Sequence, residues 1–286
     1  MIPIDAIKVG NTLGEGVLWD VETQSLWWTD IEERSLYRYD WNRRILDRHA
    51  TPERLGSFGF IQGSGRLIAA FESGFSFFDP SSGATDWLAR PEVGRPGLRF
   101  NDGRVDRQGR FWAGSMAESE AAAGQGSLYR LDGNGRVSRQ ETGITISNSI
   151  CWSPDGSVFY FADTPRRTIW HYACDAGGAI SNRRVFAETP PGAFPDGATV
   201  DAEGFIWCAH WGAGQVVRYA PDGRIDRRLE VPARQPSCVA LGGPDLDLLF
   251  VTSARIDLND AAPGDGDVFI TQAGVRGLPE NRFRPD

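Results

Sequence analysis

The stretch R-F-N-D-G-R-V-D-R-Q-G-R-F-W-A-G-S-M, residues 99–116, holds a polar strand from Asn101, a tight D-R-Q-G turn and an apolar strand through Phe111 and Trp112. A near copy, F-P-D-G-A-T-V-D-A-E-G-F-I-W-C-A, occupies residues 194–209, so the unit repeats. Apolar strands of the same kind start at Leu26, Leu67, Phe111, Phe159, Ile206 and Leu249, at separations of 41, 44, 48, 47 and 43 residues. Most follow a turn signal such as G-S-G-R, S-P-D-G-S or D-A-E-G-F, and each precedes another alternating strand, at residues 35, 75, 127, 168, 215 and 267. Six units of this length, each of several short strands, predict an all-β, six-bladed β-propeller with four-stranded blades. A β-sandwich would not repeat so regularly.

Composition agrees. The 34 glycines, 17 prolines and 10 tryptophans among 286 residues, with few long helical periods, favour short strands joined by turns, and residues 1–286 are read as a single domain. The N-terminal I-P-I-D-A-I is expected to pair with the last blade, because closing the ring removes sheet edges. Two units carry long insertions between their second and third strands, after Met116 and after Ala254, where loops line the mouth of a propeller channel. A net charge of -8 argues against nucleic acid or an anionic membrane as partner. Cys151, Cys174, Cys208 and Cys238 are widely spaced without C-x-x-C, so reduced core thiols are expected. With no run approaching the roughly 18 apolar residues of a membrane span and no targeting segment, the chain reads as cytoplasmic.

The repeat also points to a site. The first strand of each propeller blade lies nearest the axis, so equivalent positions face one channel. Counting back 10 or 11 residues from each apolar strand gives Glu15, Asn101, Asn148 and Asp196 in units one, three, four and five. Units two and six give Gly56 or Ser57 and Cys238 or Val239. Two carboxylates close together on a dry axis repel unless something neutralises them, and a divalent cation does so directly. An oxygen-only donor set suits calcium, magnesium or manganese, and zinc also accepts carboxylate, so a central site for one divalent metal is expected. Pro-Asp-Gly occurs at 154, 195 and 221; two of these read as hairpin turns, but Asp196 sits one strand before the turn at 201–204.

These residues carry a resemblance. L-G-E-G-V-L-W from Leu13, R-F-N-D-G-R-V-D-R-Q-G-R-F-W-A-G-S-M, S-N-S-I-C-W-S-P-D-G and F-P-D-G-A-T-V-D-A-E-G-F-I-W resemble the gluconolactonase and regucalcin family, also called senescence marker protein, with weaker similarity reaching residue 255. The resemblance implies hydrolysis of sugar lactones at one divalent metal. By motif, its metal ligands fall on Glu15, Asn148 and Asp196, and its sugar contacts on Arg99 and Asn101. Glu118 is a further expected sugar contact, while Ser119 stands where some members have a second glutamate. In this reading the metal polarises the lactone carbonyl and Asp196 serves as general base towards water. The expected partner is a small sugar lactone, and the expected state a monomer or weak homo-oligomer. Two other readings stay open at this point, an organophosphate-type esterase and a non-catalytic metal-binding propeller. No G-x-S-x-G elbow, P-loop or dinucleotide fingerprint is present, and His210 and Trp211 sit where a channel rim or a core role would suit them.

Overall fold

The computed structural model describes residues 5–286. Strand β1 (Asp5–Ile7) precedes a first blade of β2 (Gly14–Asp20), β3 (Ser25–Asp30), β4 (Ser35–Asp40) and β5 (Ile45–Ala50). The second blade is β6 (Leu55–Phe60), β7 (Leu67–Phe71), β8 (Gly74–Phe78) and β9 (Thr85–Ala89). The third is β10 (Leu98–Val105), β11 (Phe111–Ala117), β12 (Gly126–Leu131) and β13 (Val137–Ile144), and the fourth β14 (Ser147–Trp152), β15 (Val158–Asp163), β16 (Thr168–Cys174) and β17 (Ile180–Glu188). The fifth is β18 (Phe194–Val200), β19 (Ile206–Trp211), β20 (Gln215–Tyr219) and β21 (Ile225–Glu230). The sixth joins β22 (Pro236–Gly242), β23 (Leu248–Ser253) and β24 (Val268–Gln272) to β1. All pairings between these strands are antiparallel, and each inner strand touches the inner strands on both sides, which closes the ring. The six-bladed propeller read from the repeat is the observed fold.

Burial falls from axis to rim. Every residue of β6 and β22 is buried, whereas the outer strands β5 and β21 are largely exposed. Alternating side chains of the inner strands fill six apolar clusters, one between each pair of neighbouring blades. Between blades six and one, Trp19 stacks on Phe250 with centroids 5.6 Å apart. The repeated D-x-x-G-x-x-W pattern has a physical cause: Asp106 and Asp201 cap the amides of their own turns and accept the indole N–H of Trp112 at 2.9 Å and Trp207 at 3.0 Å. Each aspartate thereby ties a turn to the strand that follows it.

Closure uses the N-terminus as expected over residues 5–7, where Asp5, Ala6 and Ile7 pair with Ile270, Phe269 and Val268. The rest of the segment expected to pair there, residues 2–4, lies outside the described residues. The four cysteines are free and buried. No helix of the described residues is long and apolar enough to cross a membrane. The chain after β24 runs across one end of the axis: Phe283 donates its amide to Phe60 O at 2.7 Å and Asn281 Nδ2 donates to Val105 O at 3.0 Å. Arg104 pairs with Glu280 beneath the channel. These contacts are at the C-terminal ends of the inner strands, so the tail covers the end opposite the candidate site.

Candidate active site

Every inner strand carries a register shift near its start. The breaks lie between Glu15 and Leu18, Leu55 and Ser57, Phe100 and Gly103, Asn148 and Cys151, Pro195 and Ala198, and Pro236 and Val239. A β-bulge inserts an unpaired residue and re-aims the side chains beside it. This accounts for the two spacings in the sequence: Glu15 and Asn148 are the last paired residues before their bulges, whereas Asn101 and Asp196 are the first bulged ones. The bulge has a conformational cost. In blade one Gly16 takes φ +59°, and in blade four Ser149 adopts +58°, which costs an L-residue roughly 1 kcal/mol. Ser149 Oγ donates to Asp196 O at 2.6 Å, fixing the bulge of blade five to that of blade four. Gly197 leaves no alternative at its position, because a Cβ there would lie 2.5 Å from Cys238 Sγ.

The bulges direct Glu15, Asn101, Asn148 and Asp196, with Arg99 and Thr164, onto one cavity of about 280 Å³. Asp196 lies within β18, whereas the Pro-Asp-Gly segments at 154 and 221 form turns. Arg99 Nη1 donates to Asn101 Oδ1 at 2.8 Å and to Phe100 O at 3.0 Å. Asn101 Nδ2 donates to Ser147 O at 3.0 Å and Asn148 Oδ1 at 3.2 Å, and Asn148 Nδ2 donates to Thr164 Oγ1 at 2.8 Å. Thr164 Oγ1 in turn donates to Pro195 O at 2.9 Å. The polar chain thus links blades three, four and five and holds both amides in one orientation.

The carboxylates are differently placed. Glu15 and Asp196 are 9% and 5% exposed, and neither has an ion-pair partner among the described residues. Glu15 Oε2 accepts only the Gly16 amide, at 3.1 Å. Burial, with the charge of Asp102 second, raises the Glu15 pKa to about 8. Burial and then the charge of Glu15 hold Asp196 well above the usual carboxylate range. Asp102, beside Asn101 on its bulge, is raised to about 6 by burial and accepts the Ile150 amide at 2.8 Å. Two buried carboxylates and an amide oxygen are hard donors. No group of three His, Cys, Asp or Glu suited to a metal gathers among the described residues, so the two carboxylates would share any such shell with amide, backbone or water oxygens. This donor chemistry fits a hard divalent cation, which would reverse the mutual repulsion.

Not every expected residue lies on the cavity. Glu118 is held off it: Arg54 donates to both its oxygens, at 2.6 and 2.8 Å, while also pairing with Glu72 and Glu32. Glu118 lies 3.5 Å from Arg99 Nε, so it touches the site through that guanidinium. His210 is a core residue whose Nε2 is 2.9 Å from Tyr219 OH, but Trp211 does line the cavity. Sequence reasoning missed Thr164, Asp102 and Asp257. Thr164 follows the F-Y-F-A-D strand on a short 3-10 turn, and Asp257 sits in the insertion after Ala254. The walls are completed by Leu13, Met116, Ile146 and Ile256.

Residues 13–255 match the family model described as the SMP-30/Gluconolactonase/LRE-like region. The chain belongs to this family. Among its relatives in the SMP-30/gluconolactonase group is the L-arabinolactonase of Azospirillum brasilense, 40% identical over 96% of this chain and 92% of that protein. The 6-deoxy-6-sulfogluconolactonase of Pseudomonas putida is 35% identical over 97% of each. Among solved structures, a calcium-binding protein, regucalcin, from Agrobacterium tumefaciens superposes with a TM-score of 0.91, at 36% identity over 97% of this chain and 96% of that one.

Proposed function

We propose that this chain hydrolyses the lactone of an aldonic acid to the free acid, using one divalent metal held by Glu15, Asn148 and Asp196. The observation that carries the reading is the convergence of these three side chains, with Arg99 and Asn101, on one cavity of a propeller whose relatives include two lactonases acting on different sugars. A lactone is an ester with a carbonyl to polarise and a weak nucleophile, water, to activate. The bound cation supplies Lewis-acid polarisation of the carbonyl. Calcium, magnesium, manganese and zinc all accept these donors, and supply in the cell selects among them.

The chain's own residues do the rest. The Asp196 carboxylate takes a proton from water as its oxygen bonds to the lactone carbon. The ring C–O bond then breaks, and the same proton passes from Asp196 to the departing ring oxygen, leaving the hydroxy acid. Arg99 and Asn101 bind ring hydroxyls, and the hydrogen-bonded chain from Arg99 through Asn101 and Asn148 to Thr164 fixes the substrate's orientation. Glu118 acts on the sugar through Arg99. The test is acid release from a panel of hexono- and pentonolactones, above the spontaneous rate, with chelated enzyme alongside. Metal-restored turnover on particular sugars supports the reading, whereas metal binding without turnover on any lactone overturns it.

A further inference from the structure

The insertion after Ala254 is anchored from both sides. Ile256 N–H donates to Thr12 O at 2.9 Å, and Gln235 Nε2 donates to Ile256 O at 3.0 Å. Ile256 also packs in a small apolar cluster with Leu13 and Trp211, so the backbone next to Asp257 has little freedom. Asp257 itself sits at φ +59°, a left-handed conformation that aspartate tolerates better than most residues, and lines the mouth of the cavity.

The other acids of this loop are spoken for. Asp260 pairs with Arg234 at 2.9 Å, and Asp265 pairs with the same guanidinium while accepting the Ala262 and Arg234 amides. Asp257 has no ion-pair partner among the described residues. Arg255, two residues away, has its guanidinium 3.9 Å from where a Cβ on Gly10 would lie, and it is absent from the cavity lining.

The lining therefore has a charge pattern. Its one cation among the described residues is Arg99, already engaged by Asn101 Oδ1, Phe100 O and the neighbouring Glu118. Glu15 and Asp196 lie at the reacting end, and the mouth adds a third carboxylate over walls of Trp211, Met116 and Ile256. A substituent reaching the mouth meets a hydrogen-bond acceptor and a negative charge, with an aromatic face beside it.

We infer that Asp257 is a specificity-determining residue that selects neutral aldonolactones, accepting a hydrogen bond from a distal hydroxyl and rejecting lactones that carry an anionic group there. The inference rests on the lactonase reading above and adds the charge class of its substrate. Like charges several ångströms apart in a partly screened site correspond to about tenfold discrimination.

The experiment measures kcat/KM for gluconolactone and for the same lactone with a sulfonate at C6, using the metal-loaded wild type, Asp257→Asn and Asp257→Lys. Wild type is expected to favour the neutral lactone at least about tenfold, Asp257→Asn to narrow the ratio about tenfold, and Asp257→Lys to narrow it further. The wild-type ratio is also expected to shrink as ionic strength rises, since the carboxylate is exposed. Equal rates on both lactones in the wild type, or a ratio that neither variant changes while turnover persists, overturns the role of Asp257 and leaves the lactonase reading standing. Absence of turnover on either lactone and on the wider panel overturns the lactonase reading and this inference with it.

Discussion

Replacing Glu15 with glutamine is expected to stabilise the metal-free protein while removing its response to metal. In the folded chain burial and the neighbouring Asp102 raise this carboxyl from 4.5 to about 8. A raised pKa means that the folded state holds a proton the unfolded chain releases, so the stability is fully present below about pH 4.5 and is lost as pH rises towards 8. At pH 7 the two states differ across about 2.5 pH units, or roughly 3 kcal/mol, and beyond pH 8 the loss reaches roughly 5 kcal/mol. Glutamine keeps the shape and has no proton to lose. For a chain of this size roughly 3 kcal/mol corresponds to a Tm difference of about 5–10 °C. Thermal melts of wild type and Glu15→Gln in chelator at pH 5, 7 and 8.5 provide the assay, with calcium or manganese added in a second series. The wild-type Tm is expected to fall more steeply with pH and to recover with metal, and the variant to do neither. Parallel pH profiles for the two proteins would refute the electrostatic argument, because Glu15 would then ionise in the fold without penalty.

Three other perturbations separate the parts of the molecule. Asp196→Asn is expected to lower kcat about 10²- to 10⁴-fold, measured with metal content checked on the same sample, since an amide cannot accept the proton from water. Gly197→Ala drives a methyl to within 2.5 Å of Cys238 Sγ beside Asp196, so calorimetry is expected to show a loss of roughly 1–3 kcal/mol together with a fall in kcat. Phe283→Ala, at a site 1% exposed against Ile61 and Phe77, is expected to cost roughly 3–5 kcal/mol in denaturant melts. Because the tail covers the far end of the axis, KM for the lactone is expected to stay within about twofold of wild type in that variant, against a fall of more than tenfold in kcat/KM for Asp196→Asn.

The blades were legible because each second strand must be apolar on both faces and each turn before it needs its own aspartate or glycine, and those demands recur in every unit. The channel positions followed from the same period, and Glu15, Asn101, Asn148 and Asp196 do meet at one cavity. Their spacing varied by one residue because a bulge moves the side chain without altering the length of the unit, something no hydropathy pattern records. Thr164 and Asp257 were hidden for a different reason. Both sit after the second strand of a blade, in segments whose conformation depends on contacts with other blades, Pro195 O for one and Thr12 O next to the other. Glu118 was visible as a motif position, but its partner Arg54 stands 64 residues away, and only the fold brings the two together.

The pairing of β1 with β24 also sets the order of events when the chain is made. Strand β1 has no partner until β24 has been made, so the ring closes only with the sixth blade complete. Glu15 and Asp196 stand on blades one and five, separated on the short side only by blade six, so their approach across the axis is among the final outcomes of synthesis. A chain that stops just short of residue 248 has all six inner strands but lacks β23 and β24, so the sixth blade that separates these two acids is incomplete and β1 is unpaired. Occupancy of the cavity thereby reports a closed ring.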